Sequence, residues 1–108
     1  MCDLYISIHL NAESSSTWSG AQVFYDDINK NNQKLAKILQ NEFKKNTSTK
    51  REYKLTNDMY MYKRIERVGV LIEVGFLSNP NERYILKQKW YQIKLANIIT
   101  NGIIKYFS

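Results

Sequence analysis

Residues 4–9, Leu4-Tyr5-Ile6-Ser7-Ile8-His9, form an almost continuous apolar run that ends in the only histidine of the chain. A second apolar run, Val68-Gly69-Val70-Leu71-Ile72, is followed directly by Glu73. Apolar runs of this length are typical of strands that are buried on both faces of a sheet. Because the reacting groups of open α/β sheets gather at the carboxyl ends of the strands, the two runs predict that His9 and Glu73 share a site.

The segments around these runs predict an α/β domain. Strands are expected over residues 3–9, 20–25, 53–55 and 68–74, and helices over about 29–45, 81–87 and 89–107. Residues 57–67 are ambiguous, and one interpretation is a helical turn at Met59–Tyr62.

Two helices carry more specific signals. Asn79 is placed to cap the second helix, with Pro80 at the first helical position. The last helix is expected to bury one broad apolar side, which consists of Ile93, Leu95, Ala96, Ile99, Ile103, Ile104 and Phe107.

Composition and charge restrict the class of protein. The 108 residues allow one domain, and 44% hydrophobic residues are enough for a core. The net charge of +6 suggests either attraction to a polyanion, such as nucleic acid or an anionic cell wall, or simply a lysine-rich surface. Because the lysines are spread along the helices and not clustered with aromatic residues, no nucleic-acid partner is predicted. No stretch is apolar enough to span a membrane, and no signal peptide is visible.

The two residues that end the apolar runs suggest metal-assisted hydrolysis. Zinc lowers the pKa of its bound water to about 7, and a nearby carboxylate can pass that water's proton to a leaving nitrogen. His9 suits a zinc ligand and Glu73 suits the acid/base. Structural interpretations stand beside these roles, since a lone histidine often only hydrogen-bonds and a glutamate often caps a helix or forms a salt bridge. Both residues are flanked by apolar neighbours, where a charge is costly unless it faces a metal, a partner or water.

Two longer motifs connect these residues to a known family. Residues 3–12, DLYISIHLNA, and residues 71–80, LIEVGFLSNP, resemble the two C-terminal signatures of the zinc-dependent N-acetylmuramoyl-L-alanine amidases of the third amidase type. Residues 20–25, the helix over 32–40 and the closing stretch 91–106 are similar as well. The resemblance covers residues 1–108 as a single domain, the C-terminal part of an amidase catalytic domain. It implies a partial three-layer α/β/α fold with a mostly parallel sheet, whose N-terminal strands are missing.

The resemblance also implies a chemistry. His9 would be a zinc ligand and Glu73 the catalytic acid/base. The substrate would be peptidoglycan, cut at the amide bond between N-acetylmuramic acid and the L-alanine of the stem peptide. Such an autolysin acts outside the cytoplasm, at the cell wall.

The sequence departs from the family at the zinc site. The family's two further zinc ligands, a histidine and a glutamate, have no counterpart in this chain. Cys2, Asp3, Glu13 and Asp26 are open as substitutes, without a spacing argument for any of them. The isolated chain is therefore expected to be inactive or impaired. The alternative is a non-catalytic cell-wall or partner-binding module of the same fold.

Two expectations concern surfaces. An open sheet edge left by missing strands predicts self-association. Trp18 and Trp90 are candidates for stacking on sugars, although packing in the core or at its rim is the simpler interpretation.

Overall fold

The computed structural model describes residues 3–57 and 65–108. They form four strands and three helices in the order expected from the sequence. The elements are β1 (Leu4–Asn11), β2 (Gln22–Tyr25), α1 (Asn32–Asn46), β3 (Lys54–Leu55), β4 (Val68–Phe76), α2 (Pro80–Leu86) and α3 (Lys89–Phe107). The predicted helical turn at Met59–Tyr62 lies outside the described residues. In the described part of the chain, no helix is long and apolar enough to cross a membrane.

The four strands make one sheet in the order β1-β4-β2-β3. β1 runs parallel to β4 and β2 runs parallel to β3, whereas β2 and β4 are antiparallel. The expected α/β class with a mostly parallel sheet is therefore confirmed. β1 is an edge strand, and its Ile8 and Leu10 are more than half exposed, so self-association through this edge stays a prediction.

The core lies between one face of the sheet and the helices. Alternate residues of β4, Val70 and Ile72, are fully buried, and they share a cluster with Leu35, Leu39 and Phe43 of α1. Because side chains alternate along a strand, the intervening residues of β4, including Glu73, point to the opposite face. The helices thus cover one face of the sheet, and Glu73 lies on the other face.

Two buried polar side chains of α1 form hydrogen bonds with backbone groups near the starts of β2 and β4. Gln40 is fully buried, accepts a hydrogen bond from the Val23 amide (2.8 Å) and donates one to the Ala21 carbonyl (3.1 Å). Asn32, also fully buried, accepts a hydrogen bond from the Gly69 amide (2.8 Å). These contacts tie α1 to β2 and to the start of β4, since a buried amide without a partner costs free energy.

The observed start of α2 matches the start predicted from the sequence, whereas the observed start of α1 does not. Asn79 accepts hydrogen bonds from the amides of Asn81 and Glu82, and Pro80 is the first residue of α2, as predicted. α1 begins at Asn32, not near residue 29, because Asn29 forms a turn in which its carbonyl accepts the Asn32 amide.

The expected buried side of α3 is partly wrong. Ile93, Ile104 and Phe107 are each more than half exposed, whereas the buried residues are Tyr91, Leu95, Ile98 and Gly102. α3 has apolar residues on more than one side, so periodicity alone does not select the face. The close approach to α1 does: a Cβ atom added at Gly102 would lie 2.4 Å from Cδ2 of Leu39.

The buried hydroxyl of Tyr5 in β1 is expected to make the stability of the fold depend on pH. Its ring covers Gly69, and its hydroxyl is buried without a hydrogen-bond partner among the described residues. Burial, with a smaller contribution from the Asp26 carboxylate, raises the pKa of Tyr5 to about 12. Between pH 10 and 12 the unfolded chain therefore loses this proton before the folded chain does. The free energy of unfolding is expected to fall as the pH rises through this range.

Urea unfolding from pH 9 to 11.5 measures this effect. Tyr5→Phe should show a shallower decrease above pH 10, because phenylalanine has no proton to lose. Its stability at pH 7 should be equal or higher, since the substitution removes an unpartnered hydroxyl. Identical slopes for the two proteins would contradict the assignment.

Candidate functional site

His9 and Glu73 are direct neighbours in the sheet. They are paired residues of the parallel strands β1 and β4, so their side chains project from the same face. On the other side of Glu73, its paired residue on β2 is Gln22. The three polar side chains form a row across three strands, on the face opposite the helices. The two residues singled out in the sequence are thus brought together by the register of the sheet.

An irregularity in the pairing adds two more residues to this face. Beyond the His9–Glu73 pair, the next recorded pair is Asn11 with Phe76, so β1 advances by two residues while β4 advances by three. Such a bulge reverses the alternation of the strand that carries the extra residue. Asn11 and Phe76 consequently lie on the same face as Glu73.

Asn11 orients the Glu73 carboxylate. Its Nδ2 donates a hydrogen bond of 2.5 Å to Oε2 of Glu73. Both residues are half-buried. Among the described residues, no donor reaches the other carboxylate oxygen, Oε1. Among the described residues, Glu73 is therefore held through Oε2 alone.

His9 is held from its own strand. Ser7 lies two residues earlier on the same face, and its Oγ is 2.8 Å from Nε2 of His9. A hydrogen bond at one ring nitrogen restricts the orientation and the tautomer of an imidazole.

Glu82 of α2 connects the segments that border the site. Its carboxylate accepts hydrogen bonds from the amide of Phe76 (2.8 Å) and from the amide of Gly20 (3.1 and 3.2 Å). The end of β4 and the segment before β2 are thereby attached to the same side chain. Glu82 has a positioning role, because it contacts backbone amides on both sides of the site.

The described residues do not by themselves make a zinc site. A catalytic zinc normally has three protein ligands, and in residues 3–57 and 65–108 no three histidine, cysteine, aspartate or glutamate side chains converge. Asp3, Glu13 and Asp26, considered as substitutes in the sequence, therefore do not complete a ligand set with His9. Cys2, the fourth candidate, lies outside the described residues. The structure offers one imidazole beside one carboxylate.

The sequence patterns indicated His9 and Glu73 but did not indicate Asn11, Glu82 or Arg51. Asn11 carried a signal, because it lies two residues after His9 and strand alternation places both on one face. Glu82 looked like an ordinary residue in the first turn of a helix. Arg51 gave no local signal, since it reaches the site only through contacts with Ser19, Gln22 and Phe76.

Comparison with known proteins finds one family and close relatives. A family model described as N-acetylmuramoyl-L-alanine amidase matches residues 1–105. The germination-specific N-acetylmuramoyl-L-alanine amidase of Bacillus subtilis (strain 168) is 47% identical over 107 residues, which make up 98% of this chain and 45% of that protein. The amidase LytC of the same organism is 33% identical over 97% of this chain and 22% of its own length.

A solved structure has the same fold over almost the whole chain. The CwlD amidase from Clostridioides difficile, determined in complex with the GerS lipoprotein, is similar with a TM-score of 0.91 and 40% identity. The match covers 97% of this chain and 54% of that one. The chain thus spans about half the length, or less, of these relatives.

Proposed function

This chain belongs to the N-acetylmuramoyl-L-alanine amidase family, and from that premise we propose that the protein hydrolyses peptidoglycan at the amide bond between N-acetylmuramic acid and the L-alanine of the stem peptide. The observation that carries the proposal is the in-register pair of His9 and Glu73 at the carboxyl ends of two parallel strands. Since peptidoglycan lies outside the cytoplasmic membrane, the proposed place of action is the cell wall.

Glu73 is the proposed acid/base. Its Oε1 takes a proton from the attacking water and then delivers it to the nitrogen of the leaving alanine. The hydrogen bond from Asn11 to Oε2 supports this role, because it fixes the carboxylate plane while the other oxygen carries the proton. Half-burial on a sheet face keeps the carboxylate accessible to a substrate.

His9 is the proposed zinc ligand of this chain. The family is zinc-dependent, and a neutral imidazole next to a carboxylate suits that metal. The described residues supply too few ligands for a complete site, so the remaining ligands would come from outside residues 3–57 and 65–108. Ser7 supports the role, because its hydrogen bond holds the ring in one orientation.

The test is incubation of the full-length natural protein with purified peptidoglycan, followed by analysis of the newly exposed amino termini. The expected product is N-terminal L-alanine, and a zinc chelator should stop its release. His9→Ala should weaken zinc binding by about 100-fold or more, since loss of even an outer-shell partner costs 10–100-fold. Zinc titration calorimetry measures the change.

Two results would overturn parts of the proposal. Unchanged zinc affinity in His9→Ala would remove His9 from the ligand set. Absence of both bound zinc and released alanine in the full-length protein would favour the non-catalytic wall-binding alternative.

A further inference from the structure

An open pocket lies near Gln22, at one end of the row that Gln22 forms with Glu73 and His9. Its volume is about 650 Å³, and it is lined by residues 17–19 and 48–51. Trp18 stands at this pocket with 49% of its surface exposed. None of these residues takes part in the proposed proton transfer or zinc binding. We call this feature the Trp18–Arg51 pocket.

Arg51 connects the pocket to the face that carries Glu73. Its Nε donates to the Ser19 carbonyl (2.7 Å) and its Nη1 to Oε1 of Gln22 (3.4 Å). Its guanidinium lies 4.8 Å from the ring centroid of Phe76 and 5.8 Å from that of Trp18. Gln22 pairs with Glu73, and Phe76 is on the same face as Glu73 because of the bulge. The pocket is thus connected to Glu73 through Gln22 and Phe76.

The two loops that line the pocket are tied together. Gly20 has a φ angle of +100°, and a Cβ atom at this position would lie 2.6 Å from Oγ1 of Thr49. The same hydroxyl donates to the Ala21 carbonyl (2.8 Å), and the Gly20 amide donates to Glu82. Since only glycine adopts this backbone conformation without strain, the close approach of the loops depends on it. The walls of the pocket are therefore preformed.

The charged side chains among the described residues that line the pocket are all basic. Of the described residues that line it, Lys50 and Arg51 are basic and none is acidic, and the others include hydroxyl side chains. Lys50 is exposed. Cations and hydroxyl groups in this combination suit a carboxylate, and the exposed indole suits the apolar part of a peptide.

We propose that the Trp18–Arg51 pocket binds a free carboxylate of the stem peptide, on the leaving-group side of the scissile amide. The inference rests on the proposed function. In the intact substrate the lactyl carboxyl of N-acetylmuramic acid forms the scissile amide bond. This sugar therefore carries no charge. The stem peptide keeps free carboxylates beyond its first alanine. A basic pocket on the same face as Glu73 consequently favours the peptide side over the glycan side.

The test uses Trp18 as a reporter and needs no turnover. Trp90→Phe leaves Trp18 as the only tryptophan of the chain. This protein is titrated with the dipeptide L-alanyl-D-glutamate and with its diamide analogue, in which both carboxylates are carboxamides. The acidic dipeptide should change the Trp18 fluorescence saturably. It should bind about tenfold or more tightly than the diamide analogue, because hydrogen bonds to charged groups contribute more free energy than hydrogen bonds between neutral groups.

A matched pair of lysine variants tests the pocket itself. Lys50→Gln should weaken binding of the acidic dipeptide several-fold and leave the carboxamide unaffected. Lys89→Gln, an exposed position on α3 outside the pocket, should change neither. Lys50 is preferred to Arg51 here, because Arg51 also supports Ser19 and Gln22 and its loss would disturb the loop.

Three results would overturn the inference: equal binding of the two dipeptides, no fluorescence change with either, or a saturable change only with N-acetylglucosamine oligomers. Since the readout is binding, it is independent of hydrolysis. A protein that binds the acidic dipeptide here but releases no alanine from peptidoglycan would contradict the proposed function and retain the pocket.

Discussion

Glu73→Gln is expected to lower the rate of alanine release from peptidoglycan by about 10²–10⁴-fold, the usual contribution of a positioned general acid/base. A carboxamide cannot take a proton from water or return it to a leaving nitrogen. It has nearly the same shape as a carboxylate, and its oxygen can still accept the hydrogen bond that Asn11 donates to Glu73. The fold and the zinc content should therefore be unchanged. The measurement is the initial rate per zinc-loaded full-length protein.

The matched control is Glu52→Gln. This substitution makes the same chemical change in an exposed carboxylate that pairs with Lys44 at 2.6 Å. The rate should stay at the wild-type level, since Glu52 only forms a surface ion pair. If Glu73→Gln hydrolysed peptidoglycan at the wild-type rate, Glu73 would not be the acid/base.

The second large effect concerns stability. Gln40→Leu is expected to lower the free energy of unfolding by about 2–4 kcal/mol, because it leaves the buried Val23 amide without its partner and removes a second hydrogen bond. The Ala21 carbonyl keeps its bond from Thr49, which limits the loss. Urea unfolding followed by circular dichroism measures the change.

Gln33→Leu is the control on the same helix. Gln33 belongs to α1 and is exposed, so the same substitution should change stability by less than about 0.5 kcal/mol. Equal effects at the two positions would show that the contacts of Gln40 with β2 contribute little. The comparison separates these contacts from any general effect of an added leucine on α1.

The apolar face of α3 shows where sequence patterns stop being decisive. Its limits, residues 89–107, were predicted correctly. The set of buried residues was partly wrong, because isoleucine and phenylalanine occur on several sides of this helix. Gly102 allows α3 to approach Leu39 of α1 closely, since a Cβ atom there would lie 2.4 Å from Cδ2 of Leu39.

The sequence by itself determined the α/β class, the strands that carry His9 and Glu73, and the capped start of α2. These features depend on local patterns: apolar runs, strand-end polar residues, and a capping asparagine before a proline. The tertiary structure alone decided that Gln22 flanks Glu73, that the bulge turns Phe76 to the same face, and that Arg51 joins two loops beside the site. Strand register and contacts between distant segments depend on the packing of the whole sheet, and no local pattern of residues encodes them.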